Sequence, residues 1–311
     1  MKIKIYNIII IISSIIILLE LLLNKTLIFN TISYSLNIWV TSIIPSLFPF
    51  FIISDILISY NITNYIPKFI KKIFTKLFNT NDNIITIFFL SLLSGFPSNA
   101  RNTRKLYDLN LINLEEANYA LMFTHFSNPL FILGTVSVFF LKNEKYGIII
   151  LISHYLSNIL VGLLFRNKHS KPKNNYTIPN KKSQNFPKVL TSSIKSTIDT
   201  LLLILGTLTC FLILSSIIIS RLNLNSYNAS LLKGLLEITM GLKSLSLLNI
   251  NDIYKVVIST IFISFGGLSI HMQVLSQLID TKISYKHFFI GRIYQTIISG
   301  ILSYILYILF I

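Results

Sequence analysis

The residues able to do chemistry in this chain are few, polar, and set beside breaks in apolar runs. Ser98, Asn99 and Arg101 follow Gly95-Phe96-Pro97, which interrupts a short apolar piece over residues 84–93. A planar guanidinium pairs bidentately with a carboxylate, so Arg101, with Arg104 beyond it, suits an anionic solute. The alternative for both is a cation that anchors the chain at the membrane surface. Thr124 and Asn128 sit at a second interruption, Ser127-Asn128-Pro129. Glu237 and Thr239 mark a third, and Ser269, His271 and Gln273 follow a fourth at Gly266-Gly267. A carboxylate in an apolar stretch is costly unless it is paired or functional. Glu237 is therefore read as a coupling site for a proton or cation, a partner for a cationic solute, or half of a structural ion pair. Glu115-Glu116, His125, His154 and Asn158 are the set weighed for catalysis, though no metal-spaced Cys/His set is present.

The elements that carry these residues are membrane helices. Of the 311 residues, 53% are apolar and 12% are charged, about half the roughly 25% charge of a soluble domain. Mean hydropathy is +0.70. Spans are expected over residues 6–23, 38–59, 147–165, 198–220 and 288–311, with interrupted spans over 117–141 and 256–279. Residues 84–93 and 231–248 are too short or too broken to cross. Residues 66–78 place Lys68, Lys71, Lys72 and Lys76 opposite Ile, Phe and Leu, as in a helix lying on an anionic leaflet. Residues 166–188 hold seven Lys/Arg, three Pro and no acid, and read as a basic cytoplasmic linker.

On either side of that linker the order repeats: span, short broken piece, interrupted span, plain span. Gly/Pro interruptions at corresponding places in two halves are the best pointer in a sequence to a transporter site. The expected organisation is an N-terminal transmembrane helix over 1–34, a first repeat over 35–165, the linker over 166–188 and a second repeat over 189–311. If both short pieces are re-entrant, each half crosses an odd number of times and the halves are inverted. With the N-terminus cytoplasmic, 20 of the 27 Lys/Arg then fall inside and seven outside, as the positive-inside rule requires. The formal net charge of +16 is thereby assigned mainly to orientation and leaflet attachment. Nucleic acid is excluded as a partner, since no soluble basic module is present. Cys210, alone in an apolar run, excludes disulfide scaffolds and Cys-ligated metal sites.

Two resemblances follow. Glu115-Glu116, His125, His154 and Asn158 are similar in part to intramembrane proteases of the CAAX-processing type, but Ala120 stands where that family has an arginine. Glu115 and Glu116 also suit the first turn of a helix. A second group is resembled through Ile44-Pro45-Ser46-Leu47-Phe48-Pro49-Phe50, Ser94-Gly95-Phe96-Pro97 with Ala100-Arg101, and the run from Ser127 to Val136. His154-Tyr155-Leu156-Ser157-Asn158 and Phe265-Gly266-Gly267-Leu268-Ser269 with Gln273 complete it. Together these are similar to sporulation integral membrane proteins of the nucleoside-recognition, or Gate-domain, group. That group's first tip usually carries Gly-Tyr-Pro and Gly-Ala-Lys, where this chain has Gly95-Phe96-Pro97 and Asn99-Ala100-Arg101.

The resemblance implies an all-α polytopic membrane protein of two inverted repeats with re-entrant and broken helices, related to the core of concentrative nucleoside transporters. It implies a role in endospore formation and passage of a small anion, dipicolinate, from mother cell to forespore across the outer forespore membrane. Substrate-binding residues are then expected at Ser98, Asn99, Arg101, Thr124, Asn128, Glu237, Thr239, Ser269 and Gln273, with no catalytic residue, metal or cofactor. Solute and membrane lipids are the expected partners, and homo-oligomerisation is left open. A non-transporting assembly protein of the spore membrane is the runner-up, with an intramembrane protease third.

Overall fold

The computed structural model describes residues 2–166 and 185–311, and most of the basic linker lies outside these. All regular elements among the described residues are helical. The first half contains α1 (Lys2–Leu23), α2 (Lys25–Ser59), α3 (Lys68–Phe78), α4 (Asn83–Ser94), α5 (Ser98–Asp108), α6 (Leu114–Phe123), α7 (Phe131–Phe140) and α8 (Glu144–Phe165). The second contains α9 (Phe186–Leu222), α10 (Ser226–Leu236), α11 (Ile238–Ser246), α12 (Asp252–Phe265), α13 (Gly267–Leu278) and α14 (Tyr285–Phe310). Helices α2, α8, α9, the α12–α13 pair and α14 are long and apolar enough to cross a membrane.

The order of elements recurs: a long helix (α2, α9), a hairpin of short helices (α4–α5, α10–α11), a broken helix (α6–α7, α12–α13), and a plain helix (α8, α14). The breaks form where the sequence interrupts an apolar run. Gly95 (φ +78°) and Gly266 (φ +95°) adopt conformations that side chains resist. One boundary differs from expectation. The first long helix begins at Lys25 and runs through positions 34 and 35, so the expected domain division falls inside one helix. The second hairpin turns at Glu237, at the third interruption, and Glu237 caps the helix that follows. Gly241 lies within α11, where its missing Cβ lets α10 pass close at Gly234.

Helices α2 and α9 cross as an antiparallel pair. Thr31 meets Ser216 at 3.3 Å, Ser35 meets Thr209 at 2.8 Å, and Trp39 Nε1 donates to the Leu201 carbonyl at 2.8 Å. Leu47 and Phe51 pack there on Leu201 and Ile204. A short π-helical stretch, Trp39–Ile43, widens α2 just before Pro45, whose nitrogen has no proton to donate. Two larger clusters fill the rest. One joins α3, α4, α6 and α8 through Phe74, Phe78, Phe88 and Phe123, and the other joins α7, α8 and α12. The basic helix α3 thus buries Phe74 and Phe78 in the protein while leaving Phe69 and Ile73 exposed. On the periphery, α1 exposes most of its Ile and Leu side chains. Its Glu20 accepts from Asn24 at 2.6 Å and pairs with Arg221 of α9 at 2.6 Å.

Candidate functional site

Each hairpin tip packs against the break of the broken helix that follows it. A Cβ on Gly95 would lie 2.8 Å from the Asn128 nitrogen. A Cβ on Gly267 would lie 3.0 Å from Cγ2 of Ile238. The two tips and two breaks converge on one cavity of about 120 Å³. Phe96 comes from the first tip and Ser127 and Asn128 from the first break. Glu237, Ile238 and Thr239 come from the second tip, Ser269, Ile270 and Gln273 from the helix after the second break, and Ser46 and Leu47 from α2.

Five of the residues expected from sequence therefore share this cavity: Asn128, Glu237, Thr239, Ser269 and Gln273. Asn128 uses Oδ1 to accept from the Leu130 nitrogen at 2.7 Å, while its buried Nδ2 has no partner. The Ser127 hydroxyl is likewise buried and unpartnered. Ser269 and Gln273 are also buried, and their side chains make no hydrogen bond among the described residues. Glu237 is spent locally: its carboxylate accepts from the backbone nitrogens of Thr239 (3.0 Å) and Met240 (2.8 Å). A carboxylate at a helix N-terminus is stabilised by exactly those unpaired amides and by the helix dipole. No Lys or Arg lines the cavity.

Four expected residues lie elsewhere. Ser98 joins Ser94 and Asn102 inside the first hairpin. Thr124 bonds the Ala120 carbonyl at 2.8 Å, closing α6. Asn99 Oδ1 lies 3.2 Å from His125 Nδ1. Arg101 is a larger departure. Its guanidinium binds the Asp55 carboxylate at 2.5 Å, with further bonds to the Phe51 carbonyl, Ser196 and Thr197. Lys105 pairs with the same carboxylate at 2.8 Å. The anion that meets Arg101 is thus supplied by α2 itself. Asp55 was legible as a lone acid in an apolar span, the signal that marks intramembrane partners.

The first break also explains residues given other roles from sequence. Backbone inside a membrane must find partners within the protein, and residues 124–128 are not helical. Arg292 of α14 donates to the Met122 carbonyl at 2.7 Å, and Asn158 of α8 donates to the His125 carbonyl at 2.6 Å. His154 Nε2 accepts from the Ser127 nitrogen at 3.0 Å, and the Tyr155 hydroxyl donates to the Ser127 carbonyl at 3.1 Å. Gln295 buttresses His154 through its carbonyl at 3.1 Å. Arg292, counted among the orienting cations, is fully buried. Glu116, weighed for catalysis and for a helix first turn, closes a capping box with Asn113 at the start of α6.

Three cavities follow one another along the α2–α9 seam. A basin of about 610 Å³ is bordered by Asp55, Arg101, Lys105 and the stretch of α9 that includes Ser192, Ser196 and Leu203. The central cavity takes Ile204 and Leu208 of α9 with Ile43 and Leu47 of α2. A third, of about 350 Å³, takes Leu212 and Ser216 of α9 with Leu27, Thr31 and Tyr34 of α2. At about 1.5 Å per helical residue, Ser192 to Ser216 spans roughly 36 Å, against roughly 30 Å for a bilayer's hydrocarbon core.

Residues 40–144 match the family model for nucleoside recognition, the Gate family. The matched Gate segment supplies the half of the central cavity that holds Ser46, Phe96, Ser127 and Asn128, while Glu237, Thr239, Ser269 and Gln273 lie beyond it. Over most of its length, the chain is similar to the sporulation integral membrane protein YlbJ of Bacillus subtilis (strain 168). The two are 28% identical over 319 aligned residues, covering 90% of this chain and 77% of that relative. No solved structure matches.

Proposed function

We propose that this chain is a transporter or facilitator that carries a small solute across a membrane built during sporulation, along the seam between α2 and α9. The observation that carries this reading is the row of three cavities, whose length along α9 matches the thickness of a bilayer and whose middle member gathers all four chain breaks. Unwound backbone at membrane depth is tolerated where it is buried in protein or lines a cavity, and broken helices at corresponding places in two halves are how many transporters build a binding site. In this reading the halves are inverted, as in the core of concentrative nucleoside transporters, and rock against one another. The N-terminus is cytoplasmic, the membrane is the outer forespore membrane, and the solute is dipicolinate moving toward the forespore.

The central lining of hydroxyls and amides, with Phe96 and Phe131, offers polar contacts and aromatic faces but no cation. It suits a flat polar ring, charged or not, so the test sets a dianion against neutral rings. Proteoliposomes of the purified chain are expected to take up labelled dipicolinate in preference to nucleosides, with and without a proton gradient. Asn128→Ala together with Gln273→Ala removes donors facing the cavity and is expected to lower uptake by about tenfold or more, since each hydrogen bond is worth about 1 kcal/mol. Glu237→Gln keeps an oxygen for the α11 cap, so loss of gradient-driven uptake in that variant would assign Glu237 to coupling rather than to capping. Zero uptake of both solute classes by the wild type sinks the proposal.

A further inference from the structure

We propose that the third cavity is an anion-binding vestibule, formed by Lys233 of α10, Lys243 of α11 and Tyr34 of α2, for a small organic dicarboxylate. Its use as an entry or exit point rests on the transport reading, whereas the binding itself does not. Positive charge along the seam is distributed unevenly among the three cavities. In the basin Arg101 and Lys105 are held by Asp55, Arg104 pairs with Asp108 at 3.5 Å, and Lys195 stands among the basin's three acids, Asp55, Asp108 and Asp199, whereas no acid lines the third cavity. The central cavity has no cation. The third cavity is lined by two lysines, and neither pairs with a carboxylate among the described residues. Lys233 Nζ contacts only a neutral group, the Ser244 hydroxyl, at 3.3 Å. Lys243 Nζ lies over the Tyr34 ring, 5.1 Å from its centroid.

The acid nearest in sequence, Glu237, makes no ion pair with either lysine and does not line this cavity; its oxygens accept from the amides of Thr239 and Met240. The lysines stand on the two arms of one hairpin, and Ser216 adds a hydroxyl from α9. Two ammonium groups with separate origins can each meet one carboxylate of a rigid diacid. The Tyr34 ring, with Lys243 over it, lines the same cavity. An unpaired positive pair in a cleft with low-dielectric walls also raises the local concentration of anions. In the inverted topology this cavity faces the side opposite the basic linker, so the device acts on solute on the non-cytoplasmic face.

The test is equilibrium binding to the full-length chain in phosphatidylcholine nanodiscs, read by calorimetry beside uptake in proteoliposomes. The probes are pyridine-2,6-dicarboxylate, pyridine-2-carboxylate and pyridine-2,6-dicarboxamide. The dicarboxylate is expected to bind about tenfold or more tighter than the monocarboxylate, with no binding of the diamide, as loss of one charge-assisted contact predicts. The Lys233→Gln, Lys243→Gln double variant should weaken dicarboxylate binding by a similar factor at an unchanged thermal midpoint, and Lys233→Arg with Lys243→Arg should restore it. Unaltered binding in the double glutamine variant overturns the vestibule even if uptake is normal. Binding without uptake in the wild type upholds the vestibule and counts against transport. If phosphatidylglycerol added to the nanodiscs abolishes dicarboxylate binding and is retained in a lysine-dependent way, the site belongs to a lipid headgroup and the proposal fails.

Discussion

Asp55→Asn is expected to give the largest loss of any single substitution in this chain. Asp55 is 3% exposed and is the one carboxylate on Arg101, itself 5% exposed. Removing its charge strands a buried guanidinium, with Lys105 beside it. Breaking a buried ion pair from one side costs about 3–5 kcal/mol, because the remaining charge keeps its desolvation penalty. The purified variant should show a markedly lower thermal midpoint in detergent and no uptake. Replacing both partners, Asp55→Leu with Arg101→Met, removes both charges together and should recover most of the lost stability, since Lys105 can reach solvent. If Arg101 instead waited for a substrate carboxylate, Asp55→Asn would leave the midpoint unchanged and raise the affinity for anions. That outcome would sink the structural assignment.

The second large effect is expected at His154. Its Nε2 is the acceptor for the Ser127 nitrogen, and Nδ1 lies 2.9 Å from the Ser264 hydroxyl. His154→Leu fills much the same space but leaves a buried backbone N–H without an acceptor, at about 1–3 kcal/mol. Ser127 and Asn128 border the central cavity, so the damage falls on the site rather than on the periphery. Uptake should drop by about tenfold or more even where the chain still folds, as misplacement of binding groups by an ångström costs about a hundredfold in favourable cases. His154→Gln, which keeps an acceptor, should retain part of the activity. Equal activity of the leucine variant and the wild type would show that the unwound segment does not need this clamp.

The fold was largely readable from sequence because helix breaking is a local property. Gly95, Pro129 and Gly266 announce their positions without reference to anything distant, and the repeat of element order follows from them. The second hairpin was harder. Its interruption at Glu237 and Thr239 was legible, but that Glu237 would cap the next helix, and that Gly241 would serve close packing on Gly234, depends on how the two arms meet. The cavity residues were found where they sit at breaks, which accounts for Asn128, Glu237, Thr239, Ser269 and Gln273. What could not be read is pairing across long separations. Arg101 and Asp55 are 46 positions apart and Arg292 and Met122 are 170 apart, and no local pattern says which buried polar groups will meet. Arg101 was therefore read as a solute-binding cation or a surface anchor and Arg292 only as one of the cytoplasmic cations, whereas each is committed to the protein's own acceptors.

The indole that ties the two long helices together has a further use. Trp39 is the only tryptophan in the sequence, and its N–H is held by the Leu201 carbonyl of the facing helix. Any movement that parts α2 from α9 must release that N–H, and water reaching it would move the emission to longer wavelength. The seam through which solute is proposed to pass therefore carries its own optical probe, so the timing of opening can be followed on the unlabelled native chain.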